Sequence, residues 1–253
     1  MIEQSQLSRP VSRVPEVTVD FWLIKLMAVT MGETAADFLA VNLGLGLTAT
    51  TGLMLVVLVG VMSAQLSTKR YIPSAYWLAV VMISIVGTLV TDNLIDTFGV
   101  PLTTTTAVFS VALAATFAVW FAVERTLSIH AIFTDRREAF YWLAIFLTFA
   151  LGTAVGDLIS EYFALGYLAT GILFGLIIAS LALGYFMLQL DPILGFWLAY
   201  ILTRPLGASF GDLLAKPAEY GGLGIGTIVT SAGFLAAILT LVVVMTMRRE
   251  RLA

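Results

Sequence analysis

The sequence contains no cysteine and a single histidine, His130. The lack of cysteine excludes a disulfide framework and a thiolate metal site, and one histidine cannot form a histidine cluster. Charged residues are also scarce, because they make up 11% of the chain, whereas a soluble domain carries about 25%. With 60% apolar residues and a mean hydropathy of +1.00, most of the protein is expected to lie in a lipid bilayer.

Long apolar segments make up most of the remaining sequence. A bilayer core requires about 20 apolar residues per helix, and the chain contains eight such segments. They lie at about residues 21–43, 47–66, 75–97, 101–124, 139–163, 165–187, 191–214 and 223–247. The predicted fold class is therefore all-α, a polytopic membrane protein with eight transmembrane helices.

The links between these segments divide the chain into two sets of four helices. Residues 1–20 are polar and lack an apolar core, so we interpret them as a cytoplasmic tail and not as a signal peptide. Residues 21–124 form the first membrane half and residues 139–247 form the second. The longest link, residues 125–138, separates the halves, and residues 248–253 form a second cytoplasmic tail.

Positive charges fall almost entirely on one face of the predicted helix array. Ten of the thirteen Lys and Arg residues lie in the two tails and in the second–third and fourth–fifth links, which share one side if eight helices span the membrane. The opposite side carries Lys216 alone. By the positive-inside rule both termini should be cytoplasmic, and the expected location is the inner (plasma) membrane of a bacterium.

A glycine followed five residues later by an aspartate occurs four times. The copies are GETAAD at 32–37, GTLVTD at 87–92, GTAVGD at 152–157 and GASFGD at 207–212. Each lies in the outer half of an odd-numbered helix, and successive aspartates are 55, 65 and 55 residues apart. We interpret this spacing as a two-helix unit that was duplicated twice, which gives four parallel repeats. Tryptophans at the span ends, expected to be interfacial anchors, recur with an offset of 120 residues: Trp22 with Trp142, and Trp77 with Trp197.

The motif predicts a polar strip on each odd helix, because residues four apart share a helix face. One turn before the motif aspartates lie Glu33, Thr88, Thr153 and Ala208. The motif glycine falls on another face, where it allows a neighbouring helix to pack closely. At Gly156 and Gly211, which directly precede an aspartate, the helix is free to unwind and to offer carbonyl oxygens as ligands.

These polar strips contain the candidate ion-binding residues. Ionisable groups in the hydrocarbon cost about 2.5–3.5 kcal/mol each on insertion scales and point to function. The candidate metal ligands are Glu33, Asp37, Asp92, Asp157 and Asp212. The full candidate set for the transported ion adds Thr88, Thr153 and Arg204. The alternative is that the motif only packs and caps helices.

Two basic residues fall inside predicted helices. Arg204 lies two turns before Asp212 and beside Pro205, and we interpret it as an internal counter-ion to the aspartates. Lys25 is expected to snorkel to the cytoplasmic interface, with pairing to the aspartates as the alternative.

The four-fold Gly-x4-Asp pattern, with TRPLGASFGDLLAKP at 203–217 as its most distinctive run, resembles a known family. Over about residues 20–247 the chain is similar to uncharacterised bacterial membrane-anchored proteins with a repeated two-helix unit. The resemblance implies an integral inner-membrane protein. It brings no activity, so the functional prediction depends on the residues.

Oxygen ligands without cysteine or clustered histidine suit hard cations such as Mg²⁺, Mn²⁺ and Ca²⁺. We therefore predict a transporter of a divalent metal cation, Mn²⁺-like, including an exporter that exchanges the metal for protons. A transporter of small organic or anionic solutes, with Arg204 and Lys25 as binding charges, and a cation or proton channel are the alternatives. No catalytic serine set, metal-binding histidine pair or phosphate loop is present, so we expect no enzyme and no cofactor. The expected partners are the lipid bilayer, the cation and protons, without nucleic acid, and a homo-oligomer stays open.

Overall fold

The structure, a computed structural model, describes residues 12–42 and 44–252. Most of the predicted tail at residues 1–20, the last residue of the predicted first span, Leu43, and the C-terminal Ala253 lie outside the described residues. The described chain forms eight α-helices: α1 (Val19–Asn42), α2 (Leu47–Ser67), α3 (Pro73–Asp92), α4 (Leu102–Glu124), α5 (Asp135–Asp157), α6 (Tyr167–Leu188), α7 (Pro192–Ala215) and α8 (Thr227–Leu252). The predicted all-helical fold with eight helices is confirmed.

Seven of these helices, α2 to α8, are long and apolar enough to cross a membrane, judged over the described residues. Such a set indicates a multi-pass membrane protein. The first helix is not among the seven, and it carries four charged residues, Asp20, Lys25, Glu33 and Asp37. Lys25 and Glu33 are buried, whereas Asp37 is partly exposed and the Asp20 side chain is 41% exposed.

The four odd-numbered helices form a closed ring. Helix α1 packs against α3 and α7, and α5 packs against the same two helices. The even-numbered helices lie outside the ring, and each packs mainly on the first helix of the next repeat: α2 on α3, α4 on α5, α6 on α7 and α8 on α1. The last repeat thereby closes onto the first, and all four repeats share one ring.

The motif glycines lie where neighbouring odd helices meet. A Cβ atom at Gly32, Gly87, Gly152 or Gly207 would contact, in the same order, Ser84, Phe149, Arg204 or Val29 on the next odd helix. The contacted positions, 29, 84, 149 and 204, are themselves separated by 55, 65 and 55 residues, so the contact repeats around the whole ring. The prediction that the glycine faces a closely packed neighbour is therefore confirmed.

The helices do not unwind at Gly156 or Gly211, contrary to the sequence interpretation. Helix α5 stays α-helical through Asp157 and then widens into a π-helical turn, Leu158–Tyr162. Helix α7 continues without interruption to Ala215. Both glycines pack against an adjacent odd helix, and their position in this contact explains why the regular helix is kept. A second π-helical turn, Asn93–Thr97, follows α3.

We call the end of the ring with the four motif aspartates the acidic end, and the end at which α1 begins and α8 ends the terminal end. Aromatic side chains fill the terminal end. They occupy two sets of repeat-equivalent positions: Phe21, Tyr76, Tyr141 and Phe196, and Trp22, Trp77, Trp142 and Trp197. The hydroxyl groups of Tyr76 and Tyr141 are hydrogen-bonded to each other. We call these eight residues, together with Tyr200, the aromatic layer.

The expectation of interfacial tryptophan anchors is wrong for three of the four. Trp77, Trp142 and Trp197 are buried in the aromatic layer, where their rings contact other aromatic rings at centroid distances of about 5–6 Å. These contacts keep the three rings away from the outer surface. Only Trp22 stays partly exposed.

The segment before α1 lies across the terminal end. Arg13 is buried and donates a hydrogen bond of 2.8 Å to Glu138 of α5 and a second bond to Asp135. The bond to Glu138, aided by the bond to Asp135, raises the pKa of Arg13 although burial acts in the opposite direction. The backbone N–H of Arg13 donates to the carbonyl of Ile132. The aromatic layer is thus covered by a fixed segment of chain.

Candidate functional site

A layer of polar side chains crosses the centre of the ring, one helical turn from the motif aspartates. Glu33, Thr88 and Thr153 contribute to it from α1, α3 and α5, and all three are buried. The repeat-equivalent residue on α7 is Ala208, which has no polar group. Arg204, one turn earlier on α7 and fully buried, reaches into this layer in its place.

One nitrogen atom of Arg204 joins the four helices. Nη2 lies 2.9 Å from Oε2 of Glu33 and donates hydrogen bonds to the hydroxyl groups of Thr153, at 2.8 Å, and Thr88. The Thr88 hydroxyl in turn donates to Oε2 of Glu33, at 3.2 Å. We call these four residues the central layer. Because it binds all four odd helices, it holds the middle of the ring at fixed positions.

The other two nitrogen atoms of the Arg204 guanidinium differ from Nη2. Nε and Nη1 are buried and have no hydrogen-bond partner among the described residues. Arg204 was interpreted as a counter-ion to the aspartates, but its ion pair is with Glu33 and not with Asp212, which lies two turns away on its own helix. Spacing along α7 placed the two residues on one face, but the nearest carboxylate comes from α1.

The four motif aspartates lie in the next layer, toward the acidic end. Glu33 interacts electrostatically with each of Asp37, Asp92, Asp157 and Asp212. The aspartates also interact with one another across the ring, as Asp92 does with Asp37 and Asp212. The structure thus brings the five predicted metal ligands together around one axis. Within the described residues, however, no three His, Cys, Asp or Glu side chains are grouped closely enough to hold a metal ion.

Lys216 lies close to two of the four aspartates and offsets one of their two negative charges. Its ammonium nitrogen lies 2.9 Å from Oδ2 of Asp37 and 3.8 Å from Oδ1 of Asp212. Burial opposes the charge of Lys216, but the carboxylates of Asp37 and Asp212 outweigh this effect and raise its pKa. This residue was not among the predicted site residues, although it lies one turn beyond the fourth motif aspartate.

The other two aspartates lack such a partner. Asp92 and Asp157 are partly buried, and in the part of the chain that the structure describes their carboxylates form no hydrogen bond or ion pair. Farther toward the acidic end, Asp96 and Glu161 are exposed, and Glu161 accepts a hydrogen bond of 3.0 Å from the Tyr167 hydroxyl. We call the four motif aspartates and Lys216 the acidic layer. It is asymmetric, because Lys216 contacts Asp37 and Asp212, whereas Asp92 and Asp157 form no ion pair among the described residues.

Lys25 does not snorkel to an interface, so that expectation is wrong. Its side chain is fully buried between α1 and α7. The ammonium group donates to the carbonyl of Tyr200, at 2.6 Å, and to the hydroxyl of Thr203, and it lies 4.1 Å from the centroid of the Tyr200 ring. A carbonyl dipole and an aromatic face stabilise the charge there. Thr203 and Tyr200 had no sequence signal, because their role depends on how α7 packs against α1.

The comparison with protein families agrees with this architecture. No curated protein and no solved structure matches the chain. Four consecutive segments match one family repeat, at residues 21–71, 75–126, 140–190 and 195–251. Each segment contains one odd helix and the even helix that follows it, so the predicted internal repeat is confirmed. The chain therefore belongs to the family described as Repeat of Unknown Function (DUF347).

Proposed function

We propose that this protein is a membrane transporter of a divalent metal cation, with a hard ion such as Mn²⁺ favoured. One observation carries the proposal: the four motif aspartates, one from each repeat, lie on the four helices of the ring, one turn beyond the buried central layer. Carboxylate and hydroxyl oxygens are the ligands that hard divalent cations prefer. Repeats that meet at a common axis are also where transporters bind their substrates.

The charges around the axis favour a cation over an anion as the transported species. Arg204 is paired with Glu33, and Lys25 donates to a carbonyl and a hydroxyl oxygen away from the acidic layer. The acidic layer holds four carboxylates and one ammonium group, that of Lys216. A site with this excess of negative charge attracts cations and repels anions.

The aromatic layer favours a carrier over an open channel. A channel requires a continuous polar lining, but buried aromatic rings fill the terminal end of the ring. The acidic layer is partly exposed at the opposite end. A carrier with this arrangement takes up or releases its ion at the acidic end and opens the terminal end at another stage of its cycle.

Coordination of the ion requires the carboxylates to move closer together, since they form no ready three-ligand group within the described residues. Carboxylates that release a metal ion in a low-dielectric site tend to take up protons. Exchange of the metal for protons is therefore the coupling that we propose. With the orientation expected from the positive-inside rule, the acidic end faces the outside of the cell. Export of the metal in exchange for protons is the direction of transport that we propose.

Metal-dependent thermal stabilisation of the purified protein tests the proposal. We expect Mn²⁺ to raise the Tm of the parent protein, and Asp92→Asn or Asp157→Asn to abolish most of that gain, because each removes an anionic ligand and keeps the side-chain shape. Asp96→Asn is the matched control, since this exposed carboxylate lies nearer the end of its helix. If all four motif Asn variants gain as much stability as the parent, the motif is helix-packing architecture and the proposal is wrong.

A further inference from the structure

We propose that the Lys216 ammonium competes with the transported cation for Asp37 and Asp212, and so lowers the affinity of the site. This inference rests on the proposed function, because it concerns the same carboxylates. Lys216 already occupies a position between these two side chains, at 2.9 and 3.8 Å. A metal ion that takes both carboxylates as ligands must displace it.

The position of Lys216 differs from its equivalents in the other three repeats. Those equivalents are Val41, Asp96 and Glu161, and all three are exposed at the acidic end. The Lys216 side chain is only 32% exposed and lies over the acidic layer. Among the four equivalent positions, the fourth repeat therefore supplies the single cation, and it directs that cation at the aspartates.

The backbone around Lys216 fixes this placement. The residue ends α7 in an extended conformation, and its N–H donates to the carbonyl of Asp212 at 2.9 Å. Its own carbonyl accepts from the N–H of Gly224, also at 2.9 Å. The chain passes so close that a Cβ atom at Gly222 would contact the Lys216 carbonyl oxygen. The link after α7 thus holds the lysine backbone from both sides.

Because the acidic layer is asymmetric, an entering cation contacts its aspartates in a defined order. Asp92 and Asp157 form no ion pair among the described residues, so an entering cation meets them without displacing any group. Engagement of Asp37 and Asp212 then releases the ammonium group, whose flexible four-carbon stem and partial exposure provide a route toward water.

Lys216 also stabilises the protein after the cation has left. Buried carboxylates without a counter-ion are costly. Lys216 returns to Asp37 and Asp212 and offsets one of their two negative charges. The expected consequence is a site of lower affinity that releases its ion more readily, which suits a carrier.

Isothermal titration of purified protein with Mn²⁺ tests the inference. We expect Lys216→Gln to bind Mn²⁺ at least tenfold more tightly than the parent, because the competing charge is gone. Lys216→Arg keeps a competing charge and should bind no more tightly than the parent. Lys69→Gln is the control, since Lys69 is an exposed lysine that pairs with Asp135 at the terminal end, and it should leave the affinity unchanged.

The outcomes separate this inference from the proposed function. If the parent binds Mn²⁺ and Lys216→Gln binds it no more tightly, Lys216 has a structural role and the inference is wrong, while the proposed function stands. If neither protein binds Mn²⁺, the proposed function is wrong and the inference falls with it. Should Lys216→Gln fail to fold without metal, it is purified with Mn²⁺ bound, and its affinity and that of the parent are measured by competition with a chelator of known affinity. An unchanged affinity in that measurement also overturns the inference.

Discussion

Arg204 Nη2 and Glu33 Oε2 lie 2.9 Å apart at the centre of the ring, with side-chain exposures of 0% and 6%. Removal of one member of a buried ion pair leaves the other charge uncompensated and costs about 3–5 kcal/mol. We expect Arg204→Gln to lower the free energy of unfolding by an amount of this order. Glu33→Gln in the same protein should restore much of the loss, as measured by denaturant unfolding in detergent micelles.

The control for this cycle combines Arg204→Gln with Asp212→Asn. Asp212 pairs with Lys216 and not with Arg204, so the two changes should be additive within about 0.5 kcal/mol. Strong coupling of Arg204 to Asp212, or none to Glu33, would contradict the arrangement of the central layer.

Gly152 lies against the Arg204 side chain, and a methyl group has no room there. A Cβ atom at this position would contact Cβ and Cγ of Arg204 and Cδ of Pro205. Overpacking costs about 1–3 kcal/mol, and we expect Gly152→Ala to fall in the upper part of this range because the central layer fixes Arg204. Thermal unfolding of the purified variant measures the loss.

Gly171 on α6 provides the matched control, because nothing lies within 4 Å of a Cβ atom added there. Alanine is favoured over glycine in helices by about 1 kcal/mol, so Gly171→Ala should leave the Tm unchanged or raise it. Equal losses at both glycines would show that the contact with Arg204 does not limit the packing.

Helix positions could be predicted from the sequence because hydropathy and repeat spacing are local properties. The segment predicted at 101–124, for example, is α4, Leu102–Glu124. The same spacing identified which residues are equivalent, and the equivalent glycines and central-layer positions do occupy equivalent places in the ring. Periodicity along one helix thus predicts which side chains share a face.

Periodicity does not reveal which helix that face contacts. The partner of Arg204 comes from α1 because the ring closes between α1 and α7, and no local pattern encodes this closure. The sequence around Lys25, near the start of α1, does not show whether its side chain reaches an interface or, as here, a carbonyl on α7. The buried tryptophans show the same limit, since an aromatic residue near a span end suits both lipid and the interior of the ring.

The orientation of the chain is testable with single cysteines, because the sequence has no native cysteine. Ser67 and His130 are exposed at the terminal end, and Glu219 is exposed at the acidic end. If both termini are cytoplasmic, cysteine at position 67 or 130 should resist an impermeant thiol reagent added to intact cells, and cysteine at 219 should react. The reverse pattern would invert the orientation, and a mixed pattern would change the number of spans.

In the absence of metal, Asp→Asn changes in the two aspartate pairs of the acidic layer should shift the free energy of unfolding in opposite directions. Asp92 and Asp157 are repelled by Glu33 and other carboxylates, and Arg204 offsets part of this repulsion at Asp157 only. Neither aspartate forms an ion pair among the described residues. Asp92→Asn and Asp157→Asn should therefore raise the free energy of unfolding in EDTA, by about 0.5–2 kcal/mol as for other charge optimisations. Asp37→Asn should lower it, because Lys216 loses its closer partner.

Measurements with Mn²⁺ test whether the repelled carboxylates form an ion-binding site. A functional site often trades stability for activity, so the variants that gain stability in EDTA should be those that lose the Mn²⁺-dependent gain in Tm. Asp96→Asn, which changes an exposed carboxylate within the π-helical turn after α3, should keep the Mn²⁺-dependent gain in Tm and change the stability in EDTA less than Asp92→Asn does. If Asp92→Asn and Asp157→Asn instead destabilise the protein in EDTA, their carboxylates support the helix packing, and the acidic layer is a structural element of the ring.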